Sequence, residues 1–287
     1  MLILGHRGTG VTMGNSPAEE ISRRRLGQRL PENTLPAFEF ALQNGADGIE
    51  VDVIKTLDDD LAVCHDEPLN LHVAGADRNS RNLGFIGATS MSSLREFDMG
   101  DGYAMPNLRE VFDVVARYGA KVFNIEMKGR DCADVLYQQV RSCCAELSFP
   151  NDRVLYSSFN HEQLFRIRAL DSEAKIGLLF ELASVGSAPL YPETFGDEMS
   201  VSFSPRYVQS LVGELRPSSL HPCVVDFNDA VRTCAESNAM DIFAWTYREK
   251  SPDVDKAVLD FAFKHKDAER INLITDFPIA IKRAILN

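Results

Sequence analysis

No run in the 287 residues approaches the ~20 consecutive apolar side chains needed to cross a bilayer, so a transmembrane helix is not expected. The opening Met1-Leu2-Ile3-Leu4-Gly5-His6 has neither the basic region nor the long apolar run of a secretory signal, and the expected location is cytoplasmic. Positive charge is scarce. With 30 Lys and Arg against 42 Asp and Glu the net charge is -12, which argues against a nucleic-acid or anionic-membrane partner, since both surfaces demand exposed cations. A small molecule is the expected partner. Cysteine is too sparse for a disulfide scaffold: Cys64, Cys132, Cys143, Cys144, Cys223 and Cys234 show no C-x-x-C pairing and read as free thiols. There is no internal repeat, low-complexity tract or Pro/Gly-rich linker, so one domain over 1–287 is expected.

What is present is an alternation. Short Val-, Ile- and Phe-rich runs separate amphipathic stretches, the pattern of βα units on a mainly parallel sheet, and the length fits one large α/β barrel or two small domains. Expected strands are Leu2 to Leu4, Gly48 to Thr56, Leu61 to Cys64, Lys121 to Met127, Val154 to Ser158, Ile176 to Phe180, Val201 to Phe203, a short one near Val224, Ile242 to Tyr247 and Ile271 to Thr275. Expected helices include Leu35 to Asn44, capped by Thr34 and stopped at Gly45. Others are Leu108 to Tyr118, Ala133 to Leu147, Glu162 to Leu170, Asp229 to Ser237 and Asp253 to Lys264. Two segments break the alternation, residues 9–30 with Arg23-Arg24-Arg25 and residues 67–105, rich in Gly, Asn and Ser. Both read as insertions in βα loops, which in a barrel overlie the face where sites are built. Plain solvated decoration is the competing description.

The chemistry-bearing residues lie on strand faces. Glu50 and Asp52 are two apart and project to one side, while Ile49, Val51 and Val53 face the other. In a parallel barrel the outer face meets helices and must be apolar, so the carboxylates point inward and require a divalent cation or a basic partner. Asn124, Glu126 and Lys128 repeat the pattern on a second strand. Isolated strand charges usually form salt bridges or face solvent; two inward sets in one chain point to a site. Three carboxylates form a hard oxygen site suited to Mg2+, Ca2+ or Mn2+. His6 and His65 each follow a strand, a placement suited to a proton donor and acceptor, with Arg7 able to grip a phosphate and Asp66 able to orient an imidazole.

These residues fall in an ordered set: His6-Arg7-Gly8, Pro31-Glu32-Asn33-Thr34 with Ala37-Phe38, Gly45 to Val53, and His65-Asp66. Ile125 to Lys128, Ser157 to Asn160, Trp245-Thr246 and Ile274 to Pro278 follow. The set resembles the glycerophosphodiester phosphodiesterase family over nearly the whole chain. The resemblance implies a (β/α)8 TIM barrel and hydrolysis of a glycerophosphodiester to sn-glycerol 3-phosphate and an alcohol. It further implies one divalent metal ion on Glu50, Asp52 and Glu126, with His6 and His65 as general acid and base. Arg7, Glu32 and Lys128 would then line the phosphate and metal site, and Trp245, the only tryptophan, would wall the glycerol moiety. Ser157 and Asn160 are expected to shape the barrel rim. The sequence departs from the family pattern in the long spacing between Gly8 and Glu32 and in Asn272-Leu273 before the last strand's Ile-Thr-Asp.

The attacking group is either water or the neighbouring glycerol hydroxyl, the latter giving a cyclic phosphate opened afterwards. The alternatives are a lipid phosphodiesterase of the phospholipase D or sphingomyelinase D type, against which the complete Glu32-Asn33-Thr34 segment and the Glu126/Lys128 pair argue, and a noncatalytic ligand-binding barrel.

Overall fold

The computed structural model describes residues 1–9, 30–129, 131–180, 202–246 and 256–286; Arg23 to Arg25, nearly all of the 9–30 insertion and Val201 lie outside them. Among the described residues nine strands form one sheet: β1 (Ile3–His6), β2 (Gly48–Lys55), β3 (Leu61–Val63), β4 (Val122–Met127), β5 (Val154–Ser158), β6 (Lys175–Leu179), β7 (Ser219–His221), β8 (Asp241–Trp245) and β9 (Ile271–Thr275). Their order is β1-β9-β8-β7-β6-β5-β4-β2-β3, and β1 also pairs with β2 in parallel. That last pairing closes eight parallel strands into a barrel, leaving β3 as an antiparallel partner of the far end of β2. The described helices lie between the strands: α1 (Leu35–Gln43), α2 (Met91–Leu94), α3 (Leu108–Tyr118), α4 (Ala133–Leu147), α5 (His161–Leu170), α6 (Pro205–Val212), α7 (Asp229–Ser237), α8 (Lys256–His265) and α9 (Pro278–Leu286).

Side-chain alternation divides the strands into two environments. Ile49, Val51, Val53, Phe123, Ile125, Met127 and Ile176 join helix residues such as Phe38, Phe112 and Leu136 in one core between barrel and helices. Leu4, Leu155, Phe243 and Ile274 form a smaller apolar floor inside the barrel. At the same level Asp47 accepts hydrogen bonds from Ile3 N (3.1 Å), Lys121 Nζ (2.8 Å) and Lys282 Nζ (2.6 Å), tying β1, the approach to β4 and α9 together. All six cysteines are free and buried.

Two expected strands and one expected cap need correction. Ser202 and Phe203 belong to no named strand, and the sixth barrel strand is Ser219–His221 rather than a segment near Val224, where a 3-10 turn, Val224–Asp226, follows Pro222. The reason is compositional: Ser219-Leu220-His221 carries one apolar side chain, facing the helices, while its serine and histidine fill a polar part of the barrel interior. Thr34 occupies the position before α1, but its hydroxyl turns back to Pro31 O (2.7 Å) and does not cap the helix. The 67–105 excursion is packed rather than merely solvated: Leu69, Ile86, Met91, Leu94, Met99 and Met105 bury against Ile54, Ala62 and Cys64 of the β2–β3 hairpin.

Close packing between β2 and β4 makes a testable demand. A Cβ on Gly48 would lie 2.0 Å from the carbonyl oxygen of Val122 on the neighbouring strand, a backbone atom that cannot yield alone. Gly48→Ala is therefore expected to lower unfolding free energy by about 3 kcal/mol in urea titrations, the upper range for overpacking a rigid core. An unchanged midpoint would show that the β2–β4 contact is looser than described.

Candidate active site

The polar interior lies at the C-terminal ends of the strands. Register aligns His6 with Glu50, Glu50 with Asn124, and Asp52 with Glu126, so residues far apart in sequence share adjacent rungs. Glu50, Asp52 and Glu126 are all buried, and one oxygen from each lies within 4.8 Å of the others. Carboxylates this close repel strongly where water cannot screen them.

The neighbouring cations answer part of that repulsion. Arg7 donates from Nη1 to both oxygens of Glu32 (3.2 Å each), its Nε lies 3.1 Å from Asp52 Oδ2, and its backbone N–H donates to Glu50 Oε2 at 3.0 Å. The turn that allows this is tight: Arg7 has φ 50° and Gly8 φ 84°, and a Cβ on Gly8 would meet the Ala37 backbone at 2.8 Å. Asn33, also at positive φ, donates to Asp52 Oδ2 at 3.1 Å and bonds its N–H to Arg7 O. Lys128 Nζ lies 2.5 Å from Glu126 Oε1 and 3.6 Å from Asp52 Oδ1.

The pKa directions follow these contacts. Burial by itself would raise the Asp52 pKa, but Arg7, then His65, Lys128 and His6 outweigh it and hold the carboxyl well below its ordinary range. Burial works against the charge of Arg7 too, yet Glu32, Asp52, Glu50 and Asp66 together raise its pKa further. Glu50 goes the other way: burial, then Asp52 and Glu126, push it well above the ordinary value despite Arg7. Among the described residues Glu50 Oε1 and Asp52 Oδ1 have no hydrogen-bond partner, and Glu126 Oε1 meets Lys128 without hydrogen-bond geometry. Buried carboxylate oxygens left without donors, converging from three strand positions, fit a hard divalent cation.

Each candidate histidine is backed by a carboxylate. His6 Nδ1 is 2.6 Å from Asp276 Oδ1, while its Nε2 faces Glu50 Oε2 at 3.9 Å. His65 Nδ1 is 2.9 Å from Asp66 Oδ1. Burial opposes the charge on Asp66, but His65, His72 and Arg7 hold its pKa low. An ionised carboxylate at Nδ1 fixes the tautomer and leaves Nε2 to take or give a proton. His65 reaches this level because β3 runs antiparallel to β2: Cys64 N donates to Asp52 O, returning the chain to the rung of the second carboxylate.

Trp245, half-buried, donates its indole N–H to His221 O (3.0 Å) and packs edge-on against Phe159. Ser157 is fully buried in the barrel, and Asn160 accepts a hydrogen bond from Glu162 N as the cap of α5. The structure thus brings His6, Arg7, Glu32, Glu50, Asp52, His65, Glu126 and Lys128 together, with Trp245 linked to Lys128 through Phe159. Asp276, Asn33 and Phe159 had no assigned role in the sequence analysis, though all three fall within the quoted motifs.

A parallel barrel with its polar centre at the strands' C-terminal ends is the architecture of a barrel enzyme. The model of the glycerophosphoryl diester phosphodiesterase family matches residues 24–280, and the chain belongs to that family of phosphoric diester hydrolases. A glycerophosphodiester phosphodiesterase of Caldanaerobacter subterraneus subsp. tengcongensis is 29% identical over 269 residues, covering 88% of this chain and 96% of the relative. One from Bacillus altitudinis is 33% identical over 170 residues, 55% of this chain and 64% of the relative. In fold the chain is similar to an Oleispira antarctica phosphodiesterase solved with the product sn-glycerol-3-phosphate (TM-score 0.67, 20% identity, 100% and 97% coverage). The Thermotoga maritima glycerophosphodiester phosphodiesterase is likewise similar (TM-score 0.63, 25% identity, 99% and 97% coverage). The matched segment begins after His6 and Arg7, whose place beside Glu50 rests on the β1–β2 pairing. No described helix is long and apolar enough to cross a membrane.

The ring behind Trp245 yields a pH prediction. His221 is fully buried, shares a hydrogen bond with Ser219 Oγ (2.9 Å), and burial lowers its pKa from 6.5 to about 3. The unfolded chain takes up this proton at the ordinary value and the folded chain does not, so stability is lost as pH falls from 6.5 towards 3. One such group contributes about 1.4 kcal/mol per pH unit across the window. Urea titrations between pH 6.5 and 4.5 should show a His221→Gln variant with a slope shallower by one proton, and parallel curves would contradict the assignment.

Proposed function

We propose that the protein hydrolyses glycerophosphodiesters to sn-glycerol 3-phosphate and a free alcohol, with Glu50, Asp52 and Glu126 holding one divalent cation, Mg2+, Ca2+ or Mn2+. The observation that carries this reading is the buried three-carboxylate cluster flanked by two carboxylate-backed imidazoles. A cation bound there supplies positive charge to a nonbridging phosphate oxygen and to the charge developing at phosphorus.

The chain's own groups do the rest. Arg7, kept charged by Glu32 and Asp52, and Lys128 attract and orient the phosphate anion. One of His6 and His65 accepts the proton of the attacking oxygen at Nε2, and the other donates its Nε2 proton to the leaving alcohol. Asp276 and Asp66 hold the two rings in the required tautomer. Glu32 orients the Arg7 guanidinium, and Trp245 offers an apolar wall to the glycerol carbons.

The test is glycerol 3-phosphate release from glycerophosphocholine after EDTA treatment and after restoring each cation separately. Cation-restored release is expected, and a preference for lysolipid or sphingomyelin over glycerophosphocholine would overturn the substrate assignment. His6→Ala and His65→Ala are each expected to fold and to lose about 10²- to 10⁴-fold in turnover, the usual size of acid/base catalysis. Near-normal turnover in either variant would remove that histidine from the mechanism.

A further inference from the structure

Lys128 is pulled toward the carboxylates that a cation would occupy, with its ammonium 2.5 Å from Glu126 Oε1 and 3.6 Å from Asp52 Oδ1. A second attraction comes from a different direction. The ammonium lies over the face of Phe159, 5.4 Å from the ring centroid, where the negative face of the π system attracts a cation.

The Phe159 ring is held on several sides. Trp245 meets it edge-to-face at 6.1 Å and 84°, and the Trp245 indole is itself tied to His221 O. The flanking backbone is anchored to the strand end that carries Lys128. Ser158 Oγ donates to Met127 O at 2.9 Å, one residue before Lys128, and Asn160 N donates back to Ser158 Oγ at 3.0 Å. His161, next in the chain, donates from Nε2 to Leu179 O on β6 (3.0 Å) and pairs through Nδ1 with Tyr207 OH at 2.9 Å. A loop residue needed only as apolar filler does not require such fixing on both sides.

We propose that Phe159 is a positioning residue for the reaction: its ring face holds the Lys128 ammonium on the side of the site where the phosphate binds, against the pull of Glu126 and Asp52. The inference rests on the reading of Lys128 as a phosphate-binding group. Its consequence is electronic as well as steric. Weakening the ring's negative face at constant shape must weaken phosphate handling, and only while Lys128 is present.

The experiment places mono-, di- and trifluorinated phenylalanine at position 159 and measures kcat/KM for glycerophosphocholine at saturating cation, in the native chain and with Lys128→Met. A stepwise fall reaching about fivefold is expected in the native chain, the size of a partly desolvated cation–π contact, with a flat series in Lys128→Met. Phe159→Leu should match the trifluorinated variant, and Phe159→Tyr should retain most activity. A flat series in the native chain, or an equal fall without Lys128, overturns the positioning role. Unchanged turnover in Lys128→Met alone removes Lys128 from phosphate binding and the inference with it. A large loss there beside a flat fluorination series overturns the inference alone.

Discussion

Three carboxylates held together away from water are the constraint around which the rest of this barrel is organised. Left to themselves, three carboxylates so placed would destabilise the strand ends, because burial and mutual repulsion both oppose their charge. Arg7 and Lys128 remove part of that cost, and residual strain shows on Glu50, whose pKa is pushed up while that of Asp52 is held down. A site so arranged favours an added positive charge. Its electrostatic stress is therefore compatible with a divalent metal site.

Barrel closure assembles the site. The β1–β2 and β1–β9 pairings bring the first strand between the second and the last, which sets His6 against both Glu50 and Asp276 across 270 residues of sequence. Left-handed backbone at Arg7, Gly8 and Asn33 then folds the chain back so that one guanidinium reaches Glu32 and Asp52. On the opposite side the β2–β3 hairpin returns His65 to the same level, with the 67–105 excursion packed over it.

Much of this was legible in the sequence, and the reasons differ by residue. The two-residue spacing of Glu50 and Asp52 and of Asn124, Glu126 and Lys128 reads directly as inward strand faces, because strand alternation is local. Ser219–His221 was not legible as a strand: a short segment whose polar side chains fill a polar barrel interior leaves no apolar run to recognise. Asp276 lay in a quoted motif, but its pairing with His6 depends on closure, which no local pattern encodes. Phe159 was invisible for a similar reason, since its partners Lys128 and Trp245 come from two other strand ends. The hydroxyl of Thr34 turns to Pro31 O, a choice that cap preference alone does not anticipate.

The most direct measurement is the unfolding free energy of the native chain and of Glu50→Gln, each in EDTA and with saturating Mg2+, Ca2+ or Mn2+. Gln keeps an oxygen for the Arg7 N–H but removes the strained charge, so the variant should be at least as stable as the native chain in EDTA. The native chain should gain about 2.7 kcal/mol at a hundredfold excess of cation over its dissociation constant, and the variant little or nothing at the same concentration. A native chain indifferent to every cation, or a Glu50→Gln variant much less stable in EDTA, would contradict the view that buried carboxylate repulsion, relieved by a bound cation, organises this site.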